Sequence, residues 1–275
     1  MDEQMIFPVD RFPHRLDTYG ALWRDYLDRG FNKTMDHSDK ENVVQDAERE
    51  GHYAMIGADA LRLCIQGLIN ADKDTPNRIL DFPCGSGRVT RHFRAFFPQA
   101  TIAACDLYEN HVEFCASQFD AQPILSKENL DELEIGKWDL IFCGSLLTHL
   151  PVDLFQAAIR FMASSLSDTG IAVITTEGRH SIHIQKNKWK LIDDHLFVDA
   201  ERDFYSNGFG FVDYNADFRA GSFDKQASYG VTLASASWIM SELTKMDGIR
   251  IYSFTERAWD DHQDVIVFGR PGVDE

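Results

Sequence analysis

The sequence predicts an α/β protein: a doubly wound, seven-stranded, mostly parallel sheet with its last strand antiparallel, N-terminal helices in front and a lid insert. Three observations lead there. From residue 78 onward, short β-rich runs alternate with helical stretches, the pattern of a parallel sheet covered on both faces. The first run, "RILD", opens directly into a glycine-containing loop and then a helix. The last two runs are separated by only about ten residues, too few for a crossover helix, so the final strand has to turn back on its neighbour.

Residues 1–16 carry two prolines and little periodicity and read as an extended arm. "LDTYGALWRDYLDRGF", residues 16–31, places Leu, Trp and Tyr on one face of a helix that ends near Gly30. Residues 36–70 read as one or two helices, broken or bent around Gly51 or Gly57. The polar loop "ADKDTPN" follows. The expected strands are Arg78–Asp81, Thr101–Cys105, Gln122–Leu125, Asp139–Cys143, Ile171–Thr175, Ile249–Phe254 and Val265–Gly269. Helices are expected at Arg88–Phe97, Glu109–Phe119, Asp153–Leu166 and Ser237–Met246. Residues 177–235 interrupt the alternation. A connection of that length is functional or has structure of its own. Its "FGFVDYNADF" and "ASYGVTLAS" are strand-like and suggest a hairpin in a small lid. Residues 1–75 are therefore expected to form a helical segment packed on the core. Residues 76–275 form the main domain, with 177–235 as its acceptor-binding insert.

Composition narrows the function. The 275 residues are 44% hydrophobic and 26% charged, ordinary for a chain with a sizeable core. Net charge is −17, from 27 Lys and Arg against 44 Asp and Glu. That balance disfavours nucleic-acid backbone and anionic lipid as partners. Cys64, Cys84, Cys105, Cys115 and Cys143 are odd in number, form no CxxC pair and sit among apolar neighbours. They read as reduced, buried thiols of a cytoplasmic protein. No secretory signal or membrane-length apolar run is expected.

The stretch "RILDFPCGSGRVTRHF" carries the chemistry. Gly85 and Gly87 admit backbone conformations closed to other residues and let a ligand approach the main chain. The helix that follows offers free N–H groups. Asp106 stands just past the second strand, 25 residues after Asp81, where a carboxylate can accept both hydroxyls of a ribose. Each has a plainer explanation: Asp81 caps the turn and Asp106 caps the next helix. The dinucleotide fingerprint lacks its third small residue here, since Thr90 stands in that place.

"LDFPCGSGR" resembles the first motif of the class I S-adenosylmethionine-dependent methyltransferases, an acidic residue followed by a G-x-G pattern. The resemblance continues through Asp106, "KWDLIFCGSLLTHLP" and "LSDTGIAVITT". It implies a Rossmann-like methyltransferase fold and S-adenosylmethionine as cofactor. The implied cofactor residues are Asp81, Pro83, Cys84, Gly85, Ser86, Gly87, Asp106, Leu107, Gly144 and Ser145; at the adenine, "LSKENL" offers Ser126, Lys127, Glu128 and Asn129 without a unique alignment, and Glu128 is the choice taken. More narrowly, "DFPCGSGR", "CGSLLTHL" and "HQDV" look like bacterial members whose methyl acceptor is unassigned. Ser86 and Asp168-Thr169-Gly170 depart from the usual glycine and proline-glycine, changes that turns tolerate.

Methyl transfer asks mainly for alignment and exclusion of water. A hydroxyl acceptor also needs a base. His149, beside Ser145 and Thr148 after the fourth strand, and His262, in "ERAWDDHQDVIVFGR", are the candidates. A histidine bonded to backbone, or an ordinary polar hairpin, would explain them equally. Glu177, Arg179, His180 and His183 follow the fifth strand near the lid. Asp260, Asp261, His262 and Asp264 are suitable metal-ligand types. The family position for a magnesium carboxylate reads Cys143-Gly144-Ser145, so no obligatory metal is expected. Tyr53 either reaches the cofactor or belongs to the core. The expected function is methyl transfer to oxygen of a small molecule or saccharide. The alternatives are a non-catalytic cofactor-binding adaptor and a dinucleotide-dependent dehydrogenase.

Overall fold

Alternate residues of each central strand enter two different cores. Ile79, Leu140, Phe142, Ile171 and Val173 face one side, and Leu80, Ile141, Cys143, Ala172 and Ile174 the other. Strands buried on both faces are what a parallel sheet under two helical layers requires. The computed structural model describes residues 8–36, 47–214 and 228–272. The first core takes its helical residues from α1 (Pro8–Arg29), α2 (Ala47–Asn70), α3 (Thr90–Phe96) and α4 (Glu109–Phe119). The second takes them from α5 (Val152–Ser165), α7 (Asp194–Asn207) and α8 (Ala236–Thr244).

Seven strands form the main sheet: β1 (Arg78–Asp81), β2 (Thr101–Asp106), β3 (Gln122–Leu125), β4 (Trp138–Cys143), β5 (Leu166–Thr176), β8 (Arg250–Trp259) and β9 (Gln263–Gly269). Their order is β3-β2-β1-β4-β5-β9-β8. The pairs from β3 to β5 are parallel, and β9 is antiparallel to both β5 and β8. The expected sheet is therefore present, last strand included. Strand order reverses between β1 and β4, whose carboxyl ends carry the loops around the site.

Several boundaries differ from expectation. The arm is not extended throughout, because α1 begins at Pro8. Proline suits a first helical position, where its missing N–H has no partner to lose. Helix α2 runs through Gly51 and Gly57 without a break. Gly57 serves close packing: a Cβ there would stand 2.1 Å from the Arg88 carbonyl oxygen. β5 starts at Leu166, inside the expected helix, because Leu166 pairs with Trp138. β8 reaches Trp259 and β9 starts at Gln263, so the closing polar stretch is mostly strand around a tight turn.

After β5 the chain forms α6 (Arg179–Ile184), a π turn at Gln185–Trp189 and α7. Then β6 (Phe209–Asp213) pairs antiparallel with β7 (Gly230–Ala234) in a separate two-stranded sheet. Part of the first strand-like stretch, residues 215–218, lies outside the described residues, as do residues 1–7 of the arm and 37–46 of the second helical region. Helix α1 docks on α3, where Tyr26 and His92 meet at 2.7 Å through hydroxyl and ring nitrogen, and α2 lies on the sheet's first face, with Gly67 against Val173 and Val267. Among the described residues no helix is long and apolar enough to cross a membrane. All five cysteines are buried, and none is in a disulfide.

Candidate functional site

The loop after β1 is pinned on both sides. Phe82 N–H donates to the Phe142 carbonyl at 3.0 Å, and Cys84 N–H to the Cys105 carbonyl at 3.0 Å. Both neighbouring strands thus hold it in place. Gly85 and Gly87 have φ of +48° and +74°, in the left-handed region. They serve different ends. A Cβ on Gly85 would meet nothing within 4 Å, whereas one on Gly87 would stand 2.3 Å from the Phe119 ring. Gly85 borders a cavity and Gly87 does not. Gly87, also expected at a cofactor, lets the loop lie against α4.

The cavity, about 570 Å³, runs along the carboxyl ends of the parallel strands. That size is ordinary for a small-molecule site. The β1 loop contributes Asp81, Pro83, Cys84, Gly85 and Ser86. Asp106 and Leu107 follow β2, Glu128 follows β3, and Gly144 and Ser145 follow β4. Ten of the eleven residues expected at a cofactor therefore share one space.

Asp106 is 5% exposed and holds the loops together. Its Oδ2 accepts the Gly85 N–H at 2.9 Å and its Oδ1 the Tyr108 N–H at 3.0 Å. His111 Nδ1 stands 3.3 Å from the same Oδ1. A carboxylate has about four lone-pair directions, so capacity remains for ribose hydroxyls on the cavity side. The helix-cap explanation does not hold: the N-cap of α4 is Tyr108 and carries no side-chain cap bond, and Asp106 instead bridges the turn before the helix while it lines the cavity. Asp81 is buried at the end of β1 and accepts the Thr90 hydroxyl at 2.6 Å. Burial pushes its carboxyl up to about 7, against the Thr90 bonds and with the Asp106 charge adding to the rise. Tyr53 donates from its hydroxyl to the Ser86 carbonyl at 3.3 Å, and the Arg88 guanidinium lies over its ring at 4.9 Å. It is both a buried residue and a wall of the cavity.

The other end of the cavity is built by the β4 loop and the insert. His149 Nδ1 donates to the Gly230 carbonyl at 2.7 Å, and its ring packs 4.6 Å from that of Tyr229. That bond places the ring proton on Nδ1 and the lone pair on Nε2. Burial pulls the imidazole down to about 4, with the Gly230 bond opposing, so the ring is neutral at pH 7. The two explanations of His149 therefore coexist: it is bonded to backbone, and it lines the cavity. Leu146, Leu150, Leu154 and Tyr229 make the surrounding wall mostly apolar.

His262, expected near the acceptor pocket and facing the insert, is not among the residues that line this cavity. Its Nδ1 donates to the Asp260 carbonyl at 2.6 Å across the β8–β9 turn, and its ring packs edge-on against Trp189 at 4.7 Å. Asp260 and Asp261 both have left-handed φ, which folds that turn back on itself. Trp259 does reach the cavity, anchored by its indole N–H on the Ile56 carbonyl at 3.0 Å. Glu177 and Asp264 lie outside the cavity as a buried carboxyl pair. Burial raises Glu177 to about 8 and Asp264 to about 6. Arg179 pairs with Glu256 at 2.6 Å, and His180 stacks on His183, all outside the cavity. Among the described residues no group of three or more His, Cys, Asp or Glu is placed to hold a metal ion.

Sequence reasoning missed Arg88, Tyr108, His111 and Tyr229, which also line the space. His111 lies five residues after Asp106 and could have been found from that spacing. Tyr229 carries no local signal, since only the folded insert brings it to His149.

Comparisons with known proteins agree with the fold. A family model described as a methyltransferase domain matches residues 49–207. The malonyl-[acyl-carrier protein] O-methyltransferase of Halalkalibacterium halodurans is 26% identical over 137 residues, 47% of this chain and 50% of that protein. The chain thus spans about half the length of that curated relative. An S-adenosylmethionine-dependent methyltransferase from Clostridium acetobutylicum superposes with a TM-score of 0.51 at 14% identity, over 80% of this chain and 92% of its own. The PH0226 protein of Pyrococcus horikoshii gives 0.53 at 11% identity, over 86% and 96%. At such identities the two structures show a shared fold.

Proposed function

The chain belongs to the methyltransferase-domain family, and from that premise we propose that it transfers the methyl group of S-adenosylmethionine to an oxygen atom of a small molecule. One observation carries the reading. Asp106, the open side of Gly85 and His149, whose Nδ1 is held by the Gly230 carbonyl, share a single cavity. The site fits the cofactor: a buried carboxylate with lone pairs to give, a loop without a side chain at the point of closest approach, and sufficient volume. Asp106 would hold the ribose, Glu128 would face the adenine, and the Gly85–Ser86 backbone would lie against the amino-acid side. When bound, S-adenosylmethionine supplies an activated methyl group with a good leaving group already attached.

The chain's own residues orient the acceptor and exclude water. Leu146, Leu150, Leu154 and Tyr229 remove apolar surface of the acceptor from solvent. His149 Nε2 takes up the proton released as the acceptor oxygen gains its methyl group. Its lowered basicity leaves it neutral and ready at pH 7, and makes it an acceptor of that proton more than a strong activator. The apolar wall suits a hydroxyl carried on an aliphatic or aromatic body better than a bare saccharide. In this reading residues 1–75 close the cofactor side, through Tyr53, and residues 177–235 supply the acceptor wall, through Tyr229. Five buried thiols without disulfides support a cytoplasmic setting.

The test is incubation with S-adenosylmethionine carrying a labelled methyl group and a panel of small hydroxyl compounds with apolar bodies. Label is expected in an alkali-stable ether. Label appearing only in alkali-labile ester or in amine products would overturn the assignment to a hydroxyl oxygen.

A further inference from the structure

Ser145 occupies an unusual position. It has φ of +56°, and three buried side chains from two other strands and a turn surround it. Its backbone N–H donates to Thr175 Oγ1 at 2.9 Å. Thr175 Oγ1 lies 2.5 Å from Gln263 Oε1. Gln263 Nε2 lies 2.8 Å from Ser145 Oγ and 3.3 Å from His262 Nε2. His262 Nδ1 lies 2.6 Å from the Asp260 carbonyl.

Two backbone groups fix the direction of every bond in this ring. The Asp260 carbonyl can only accept, so His262 carries its proton on Nδ1 and a lone pair on Nε2. Gln263 must then present N–H to that lone pair, which puts its carbonyl oxygen toward Thr175. From the other end, the Ser145 N–H can only donate. Thr175 Oγ1 accepts it and gives its own proton to Gln263 Oε1. The two deductions meet at Gln263 and agree. Both amide hydrogens of Gln263 are committed, one to His262 and one to Ser145. Ser145 Oγ receives a hydrogen bond, and its own proton has no place in the ring. Ser145 lines the cavity.

We propose that Gln263 and His262 are positioning residues that fix the hydrogen-bond polarity of Ser145, keeping its hydroxyl proton directed to a carboxylate of the cavity ligand, the amino-acid end of S-adenosylmethionine. The inference rests on the cofactor reading above. The strand order supports the choice of ligand end. Adenosine contacts at β3 and β2 leave the 5′ substituent toward β1 and β4, and Ser145 follows β4. Ser145 thus touches ligand. Gln263 and His262 act through it. This gives the buried His262, left aside by the cavity, a defined task.

The experiment compares S-adenosylhomocysteine with 5′-methylthioadenosine, which lacks the amino-acid carboxylate, by calorimetric titration. Ser145→Ala should weaken S-adenosylhomocysteine by about tenfold or more, the usual loss for a hydrogen bond to a charged group, and leave methylthioadenosine unchanged. Gln263→Glu keeps the shape and reverses the polarity, because an oxygen replaces the amide nitrogen and accepts the Ser145 proton. It should show the same selective loss. Nitrogen-15 NMR provides a second readout. His262 should be a neutral ring protonated at Nδ1 in the wild-type protein and a doubly protonated ring in Gln263→Glu. Unchanged S-adenosylhomocysteine affinity in Ser145→Ala would overturn the proposal, as would equal losses for the two nucleosides or an Nε2-protonated His262 in the wild type. Failure of the wild-type protein to bind either nucleoside would instead overturn the cofactor reading and take this proposal with it.

Discussion

Replacing Gly85 and Gly87 by alanine, one at a time, separates a ligand-facing glycine from a packing glycine in the same loop. Both residues have left-handed φ, so each alanine carries about 1–2 kcal/mol of backbone cost. At Gly85 nothing else is added, since no atom lies within 4 Å of the new Cβ. At Gly87 the Cβ would lie 2.3 Å from Phe119 Cε2 and 3.0 Å from Cys115 Sγ. Both neighbours are buried, at 2% and 0% exposure, so neither can swing into solvent. Forcing extra volume into a packed core adds about 1–3 kcal/mol. Gly87→Ala should therefore be less stable than Gly85→Ala by about that second amount. Urea unfolding of the ligand-free variants measures it, with the shift read from the midpoint at constant slope. Ligand binding should rank them the other way: Gly85→Ala narrows the cavity, and Gly87→Ala, where folded, leaves it open. Equal unfolding midpoints, or Gly85→Ala as the less stable variant, would refute the division of labour.

Asp106→Asn should weaken S-adenosylhomocysteine binding by about 1–3 kcal/mol in a calorimetric titration. An amide oxygen can accept only one of the Gly85 and Tyr108 N–H groups that the two carboxylate oxygens share, so the loop is disturbed along with the ribose contact. His149→Phe should slow label transfer by about 10²–10⁴-fold while leaving S-adenosylhomocysteine affinity near the wild-type value; equal activity would remove His149 as proton acceptor. Glu177 carries a pKa raised from 4.5 to about 8 by burial and by Asp264. The folded state therefore holds a proton that the unfolded state has lost between those values. Stability is full below about 4.5 and declines as pH rises toward 8. Glu177→Gln should remove that decline and stabilise the protein at pH 8 by a few kcal/mol, read as thermal midpoints across pH 5 to 9. An unchanged slope would assign the pH dependence to other groups.

The sheet was legible because its strands are short, apolar and separated by helical runs, and because the last connection is too short to cross over. The cofactor half of the cavity was legible for a related reason: a loop at a strand end and a carboxylate at the next lie close in sequence to the elements that place them. Gly87 misled because a glycine's sequence does not say whether its missing side chain faces ligand or a neighbouring helix. Gly57 misled in the same way, and the helix it was expected to break runs through it. His262 sits in the turn just before β9, at the rim the sequence pointed to, and it is not among the residues that line the cavity. The β8–β9 turn directs its ring to Trp189, and only the folded turn reveals that. Tyr229 and the Gly230 carbonyl, which set the tautomer of His149, come from a segment some 80 residues away in the chain.

The central claim is that the cavity at the carboxyl edge of the sheet is a site for S-adenosylmethionine. Calorimetric titration of the 275-residue chain with S-adenosylhomocysteine, repeated on Asp106→Asn and with NAD as an alternative ligand, tests it most directly. The account predicts saturable binding to one site per chain, weakened in the variant and unaffected by NAD. Absence of binding to the wild-type protein, wild-type affinity in Asp106→Asn, or displacement by NAD would contradict it.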